Sequence, residues 1–263
     1  MTRDITLYIN NLARHSKLAS QDLLGLNTDC KNKALMDMAA SIRSRKEKIQ
    51  RDNKTDLEEG RNKSLGDAML DRLTLTDQRI EAMAHGLEEI AQLQDPVGEV
   101  VCQWKRPGGF EVGQVRIPLG VVGIIYESRP NVTADAAGLC FKAGNAVILR
   151  GGSEAFHSNQ AIADSIREAL RLNNVNLNAV QFIDTTDRSA VGSLLKQNDF
   201  IDVIIPRGGK TLIKRVVEES TIPVIKHYEG ICHVFIHRDA DMEMACDIAF
   251  NSKVQRPGVC NAM

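Results

Sequence analysis

Two glycine-containing segments combine an adaptable backbone with positive charge. One reads Pro206-Arg207-Gly208-Gly209-Lys210, and the other reads Arg150-Gly151-Gly152-Ser153-Glu154. Each follows an apolar run and precedes a helical pattern, so its backbone N–H groups and the helix N-terminus can receive an anion such as a phosphate. Neither segment matches the G-x-G-x-x-G fingerprint, and a tight strand-to-helix turn is an alternative reason for the glycines. The adjacent cations favour the anion interpretation.

One cysteine stands out by its neighbours. Cys260 lies in a Gly/Pro loop with Lys253 and Arg256 nearby, and cations favour the thiolate, which is the nucleophilic form. The six cysteines include no C-x-x-C pair, so neither a disulfide framework nor a structural zinc site is expected. Cys140 and Cys246 fall on apolar helical faces and are predicted to be small core residues. Cys260 is therefore the candidate nucleophile.

The apolar runs that must position these residues are short and regularly spaced. Strands are predicted at 120–126, 146–149, 180–183, 203–205 and 223–225, with helical stretches between them. This alternation is typical of an α/β fold with a doubly wound parallel sheet. Such a sheet binds ligands beyond the carboxyl ends of its strands, which is where both glycine segments lie.

The first part of the chain has a different pattern. Residues 1–95 are predicted to be helical, with Thr76 as a candidate helix cap. Within them, the charge run 43–63 is predicted to be a solvated helix face and loop. Residues 100–117 alternate around Pro107-Gly108-Gly109 and indicate a two-stranded ribbon.

Three histidines form a candidate metal cluster, namely His227, His233 and His237. Residues 231–237 are predicted to form a strand, on which His233 and His237 share one face. Four residues of strand separate them too far for an easy shared site. We expect no metal site.

The composition excludes several classes of function. Of the 263 residues, 43% are hydrophobic and 25% charged, as in a globular protein, and 33 basic against 34 acidic residues give a net charge of -1. Near neutrality with 4% aromatic residues argues against nucleic-acid binding, which needs excess cations or stacking platforms. No apolar run is long enough to span a membrane, and the first residues lack a signal-peptide core. We expect a cytoplasmic protein with a small-molecule substrate.

Four motifs in order resemble those of the gamma-glutamyl phosphate reductases, the proline-biosynthesis branch of the aldehyde dehydrogenase superfamily. They read GVVGIIYESRPNV at 120–132, KAGNAVILRGG at 142–152, ID at 201–202 leading to IPRGG at 205–209, and QRP at 255–257 with CN at 260–261. The resemblance runs from the N-terminal helices to the last residue. The family is roughly half as long again as this chain, so we expect an incomplete catalytic domain.

The resemblance implies a thiol mechanism. Cys260 would attack the acyl carbon of L-glutamate 5-phosphate, and the Asn131 amide with a backbone N–H would hold the developing oxyanion. Phosphate would leave, and NADPH would reduce the resulting thioester to L-glutamate 5-semialdehyde. Arg129, Lys253 and Arg256 are the candidate substrate-binding residues.

Cofactor preference follows from the same resemblance. Relatives that use NAD carry a lysine and, three residues later, a glutamate that binds the ribose hydroxyls, whereas this chain has Arg150 and Ser153. Keeping the cation without the acid suits a 2'-phosphate, so we expect NADPH. Gly151, Gly152, Arg207, Gly208 and Gly209 complete the expected cofactor-binding set. His227 occupies the position of the glutamate that hydrolytic relatives use as a base.

The resemblance also implies an organisation and partners. Residues 1–226 would form an NADP-binding domain, with a hairpin at about 100–117 of the type used for oligomerisation, and 227–263 would begin the catalytic domain. A homo-oligomer and a pathway partner, glutamate 5-kinase, are expected. Three functions stay open: an active reductase, a non-catalytic NADPH-binding fragment of one, and an oxidative aldehyde dehydrogenase. The last is disfavoured because the Glu-Leu-Gly-Gly segment of that class is missing.

Overall fold

The computed structural model describes residues 4–227 and 231–255. The chain divides into two compact units, Met1–Ile225 and Lys226–Met263. Across the described ranges, no helix is both long enough and apolar enough to cross a bilayer.

Five helices open the first unit, and they confirm the predicted N-terminal helical segment. They are α1 (Ile5–Leu23), α2 (Thr28–Ser44), α3 (Lys46–Asn62), α4 (Asp67–Leu73) and α5 (Asp77–Gln92). Thr76 caps α5 as predicted, because its hydroxyl accepts a hydrogen bond from the Arg79 N–H at 3.2 Å. Helix α2 packs against α5, and both α2 and α3 pack against a later helix, α7 (Phe156–Leu172).

The charge run differs from its prediction along one stripe of α3. Ile49, Asn53, Asp56 and Gly60 are buried, at spacings of four, three and four residues that place them on one helix face. The loop expected within the run is short: Arg45 separates α2 from α3, and α3 continues to Asn62. The buried stripe was not predicted because most residues around it on α3 are charged and exposed to solvent.

The predicted ribbon is an antiparallel hairpin of β1 (Val100–Lys105) and β2 (Glu111–Val115), with a register shift between Val100 and Cys102. Neither strand has a buried residue. The exposed side chains include large apolar ones, among them Trp104 and Phe110. The hairpin thus presents an apolar surface that the first unit leaves uncovered.

The central sheet confirms the doubly wound prediction. Its strands are β3 (Val121–Tyr126), β4 (Ala146–Arg150), β5 (Val180–Phe182) and β6 (Val203–Arg207), all parallel, in the order β5-β4-β3-β6. The connecting helices are α6 (Asn131–Lys142), α7 and α8 (Ser189–Leu194), and α9 (Lys210–Glu219) follows β6. The chain runs outward through α6 and α7 and returns through α8. Since crossovers between parallel strands are right-handed as a rule, this path puts helices on both faces of the sheet. Helix α1 packs against α8 and the sheet.

The fifth predicted strand, 223–225, is reduced to a single bridge between Ile204 and Val224. The Ile204 N–H donates to the Pro223 carbonyl, and the Ile225 N–H donates to the Ile204 carbonyl, both at 2.9 Å. The next bond of a parallel ladder would need an N–H from Pro206, and proline has none. Pairing therefore stops after one residue.

The second unit contains α10 (Met242–Val254), capped by Asp241, whose carboxylate accepts from the Met244 N–H at 2.9 Å. The strand predicted at 231–237 is wrong: those residues have no regular structure, since no described segment pairs with them and a strand is defined by its ladder. The core position predicted for Cys246 is wrong as well. That cysteine is exposed, and Ala245 is the one buried residue of the described helix.

Candidate nucleotide-binding site

The candidate site lies where the strand order of the sheet reverses. Strands β3, β4 and β5 follow one another in one direction, and β6 returns to the other side of β3. Tyr126 and Arg207 end their strands in register, and the Glu127 N–H donates to the Arg207 carbonyl at 3.2 Å. Ligands of doubly wound sheets bind at such a switch point, beyond the strand ends.

A cavity of about 610 Å³ opens at this point in the first unit. Its walls come from the ends of β3 and β4, the first turns of α9, residues 186–191 and the C-terminal half of α3. Among the lining residues are four of the predicted cofactor-binding set, Arg150, Gly151, Gly152 and Ser153. Its size is that of a small-molecule pocket.

Arg150 is a buried cation at the edge of the cavity. Its side chain ends β4 and the residue is 6% exposed. One guanidinium nitrogen, Nη1, donates to the Gly151 carbonyl and the other, Nη2, to the Thr186 carbonyl at 3.4 Å, while Nε has no hydrogen-bond partner. Burial lowers the pKa of Arg150, and the charge of Glu154 opposes that shift. A buried charge with an unused donor is costly unless an anion completes it.

The two residues that follow Arg150 are glycine for different reasons. A Cβ on Gly151 would lie 2.1 Å from Asn159 Nδ2, a side chain buried in α7. A Cβ on Gly152 would instead meet the Glu154 carboxylate at 2.2 Å. Gly151 therefore permits close packing of the strand end against α7, which is the turn interpretation, whereas Gly152 makes room for a surface carboxylate.

Glu154 ties the ends of β3 and β4 together. Its Oε1 accepts hydrogen bonds from the Ser128 N–H at 2.6 Å and the Ser128 hydroxyl at 2.8 Å. Ser128 has a φ of 48°, a left-handed conformation that is uncommon outside glycine. Glu154, which directly follows the predicted cofactor-binding residues 150–153, therefore holds Ser128 in this left-handed conformation.

Arg207, Gly208 and Gly209 lie at the end of β6 but are not among the described residues that line the cavity; Thr211, Leu212 and Arg215 of α9 line it instead. Glu127 covers the glycines, because its Oε2 accepts from the Gly209 N–H at 2.8 Å. The structure thus brings the two Arg-Gly-Gly segments to one edge of the sheet, with a carboxylate on the second.

Sequence reasoning missed a buried polar network that includes Asp56, a residue of the cavity wall. The Asp56 carboxylate accepts from the His157 N–H at 3.1 Å and the Ser158 N–H at 2.7 Å, so α3 caps α7. Asn53 donates to Ser158 Oγ at 3.0 Å and to the Leu73 carbonyl at 2.8 Å. Burial raises the pKa of Asp56. The available signal was the helical spacing of Ile49, Asn53 and Asp56 inside the charge run.

The residues assigned to substrate and oxyanion binding lie on the next loop and helix. Asn131 begins α6, and its Nδ2 donates to Asp135 Oδ2 at 3.0 Å; burial raises the pKa of Asp135. Arg129 is exposed. Lys253 is exposed in the last turn of α10. Arg256 and Cys260 fall outside the described residues.

The described part of the chain brings no three His, Cys, Asp or Glu side chains into a group that could hold a metal ion. The lining of the cavity instead includes the buried cation Arg150 at the end of β4 and Glu127 at the end of β3.

A model of the "Aldehyde dehydrogenase family" matches residues 10–263. The chain belongs to the aldehyde dehydrogenase family. Within this family its curated relatives include gamma-glutamyl phosphate reductases from Magnetococcus marinus, 53% identical over 100% of this chain and 62% of the relative, and from Geotalea daltonii, 54% identical over 97% and 61%. The chain spans about three-fifths of the length of these relatives.

The solved structures that resemble this aldehyde dehydrogenase family member also include gamma-glutamyl phosphate reductases. The gamma-glutamyl phosphate reductase of Thermotoga maritima superposes with a TM-score of 0.90 at 40% identity, covering 97% of this chain and 61% of that one. The enzyme of that name from Saccharomyces cerevisiae gives 0.77 at 31%, covering 96% and 63%. The predicted resemblance and fold class are confirmed.

Proposed function

We propose that the chain acts in the NADPH-dependent reduction of L-glutamate 5-phosphate to L-glutamate 5-semialdehyde and phosphate, a step of proline biosynthesis. The observation that carries the proposal is 52 to 54% identity with gamma-glutamyl phosphate reductases over nearly the whole chain. The cavity at the sheet switch point supports it by supplying a site for a dinucleotide.

The described residues fit a nicotinamide dinucleotide phosphate. Arg150 lines the cavity and has a buried Nε without a hydrogen-bond partner, and a guanidinium suits a 2'-phosphate. The N-cap of α9 is Gly209, whose N–H donates to Glu127 Oε2 at 2.8 Å and would donate to the cofactor once that carboxylate moves away. When bound, the cofactor supplies the two electrons and the hydrogen that reduce the acyl group.

The chain's own residues would do the acyl chemistry. The Cys260 thiolate would form a bond to the acyl carbon while the bond from that carbon to the phosphate oxygen breaks, which gives a thioester and releases phosphate. The Asn131 amide would donate to the acyl oxygen as negative charge develops on it. Asp135 holds Asn131 Nδ2 at 3.0 Å and would orient that donor. Arg129, Lys253 and Arg256 would pair with the substrate's anionic groups.

Other assignments belong to the same proposal. Residues 1–226 would bind NADP and 227–263 would begin the catalytic domain, in a cytoplasmic enzyme. The exposed apolar hairpin at 100–117 would pair copies of the chain into a homo-oligomer, and glutamate 5-kinase would be the partner that supplies the acyl phosphate.

Phosphate dependence tests the proposal. NADP⁺ reduction by L-glutamate 5-semialdehyde should require inorganic phosphate, because phosphate rather than water must release the acyl group. Turnover that is equally fast without phosphate would favour the oxidative aldehyde dehydrogenase instead. A purified chain that binds NADPH but shows no turnover would favour the non-catalytic binding fragment.

A further inference from the structure

The Glu127 side chain occupies a backbone N–H donor that could otherwise bind a phosphate. Its Oε2 accepts from the Gly209 N–H at 2.8 Å, and Gly209 is the N-cap of α9. A Cβ on Gly208 would lie 2.4 Å from the same oxygen, so glycine there makes room for the carboxylate. The carboxylate thus makes the contact that a helix N-terminus offers to an anion.

A second observation independently marks the cavity as a ligand site. Arg150 is more than nine-tenths buried at its edge and has an Nε without a hydrogen-bond partner. No described carboxylate pairs with its guanidinium. Glu127 lines the same cavity, so a ligand that reaches both strand ends meets a cation at one and a carboxylate at the other.

We propose that Glu127 is a specificity-determining residue, which reserves the α9 N-terminus for a dinucleotide and is displaced from Gly209 by that ligand's diphosphate. The inference rests on the proposed function. Two anions cannot share one N–H donor without repulsion. A lone phosphate ion gains nothing elsewhere to offset this cost, whereas a dinucleotide already held by Arg150 delivers its diphosphate at a high effective concentration.

Displacement is feasible because the contact is a surface one. Glu127 is exposed, and its hydrogen bond to Gly209 is exposed, so the released carboxylate can be solvated by water. The Glu127 carboxylate thus excludes competing anions by electrostatic repulsion, as binding sites often do. The consequence is that inorganic phosphate, a product of the proposed reaction, does not occupy the α9 N-terminus.

Binding measurements on the full 263-residue chain test the inference. NADPH, NADH and adenosine 2'-monophosphate are titrated against wild type, Glu127→Gln and Glu218→Gln. Glu218 is a matched control because it is an exposed glutamate of α9, the helix that Glu127 caps; it pairs with Lys214 at 3.8 Å and is absent from the cavity lining. Each titration is repeated in millimolar inorganic phosphate.

We expect Glu127→Gln to bind both dinucleotides about tenfold more tightly and to leave adenosine 2'-monophosphate, which lacks the diphosphate, unchanged. Phosphate should compete with NADPH more strongly in this variant than in wild type or Glu218→Gln. Unchanged or weaker NADPH binding in Glu127→Gln, or an equal gain for all three ligands, would overturn the inference while leaving the proposed function in place. Failure of every variant, wild type included, to bind either dinucleotide would overturn the proposed function and the inference together.

Discussion

The helices that follow the two Arg-Gly-Gly segments are both capped by a carboxylate from another element, but under opposite conditions. Asp56 caps α7 from helix α3 and is 2% exposed. Glu127 caps α9 from the end of β3 and is exposed. A buried cap is a fixed part of the fold, whereas an exposed cap can be exchanged for a ligand. Two similar segments therefore have different physical roles.

The cations of the two segments differ in the same way. Arg150 is buried, with its donors directed at backbone carbonyls and an unused Nε. Arg207 ends β6 in an exposed position. In the proposed function, the buried cation of the first segment would recognise one phosphate group, whereas the exposed cation of the second would add positive charge beside the α9 N-terminus.

Alanine substitutions at Gly151 and Gly209 should give the largest difference in stability between the two segments. Gly151→Ala should lower the free energy of unfolding by about 3 kcal/mol, because its Cβ would lie 2.1 Å from Asn159 Nδ2 in a buried site. Gly209→Ala should cost less than about 1 kcal/mol, since its Cβ meets only the Glu127 carboxylate at 3.7 Å. Urea denaturation of both variants provides the comparison, and equal losses would contradict it.

Removal of the two caps should give the next contrast. Asp56→Ala leaves buried donors of α7 without partners and should cost about 2 kcal/mol. Glu127→Ala exposes its donor to water and should cost about 0.5 kcal/mol. Thermal or urea unfolding distinguishes the two, and a larger loss for Glu127→Ala would show that the exposed cap is the structural one.

The pH dependence of stability sharpens the same comparison. Burial raises the pKa of Asp56 above its ordinary value of 3.8, so its protonated form is favoured in the folded state. The contribution of the carboxyl is fully present below pH 3.8 and is lost as the pH rises through the folded pKa. Relative to Asp56→Asn, wild type should therefore lose stability as the pH increases from about 4. A relative gain over that range would reverse the assigned cause.

The sequence predicted the strand ends well because their determinants are local. Apolar β-branched runs followed by Gly-Gly define where β4 and β6 end, and Thr76 caps α5 through a contact three residues away. The position of Arg150 at the end of β4 could be predicted for the same reason, because the residues on either side of it determine where the strand ends.

The parts that were missed depend on contacts distant in sequence. Asp56 caps a helix that begins 100 residues later in the chain, and nothing in the charge run identifies its partner. Residues 231–237 have the length and apolar content of a strand, but pairing decides whether a strand forms. Glu127 belongs to the motif at 120–132, yet its contact with Gly209 depends on β3 and β6 being neighbours.

Titration of NADPH and NADH tests the central claim, that the buried Arg150 selects the cofactor. Wild type should bind NADPH at least about tenfold more tightly than NADH, and Arg150→Glu should reverse that order. Arg207→Glu is the control at the exposed arginine, and it should weaken the binding of both cofactors by a similar factor. Thermal unfolding establishes that each variant is folded. Equal affinities of wild type for the two cofactors, or an unchanged order in folded Arg150→Glu, would contradict the account.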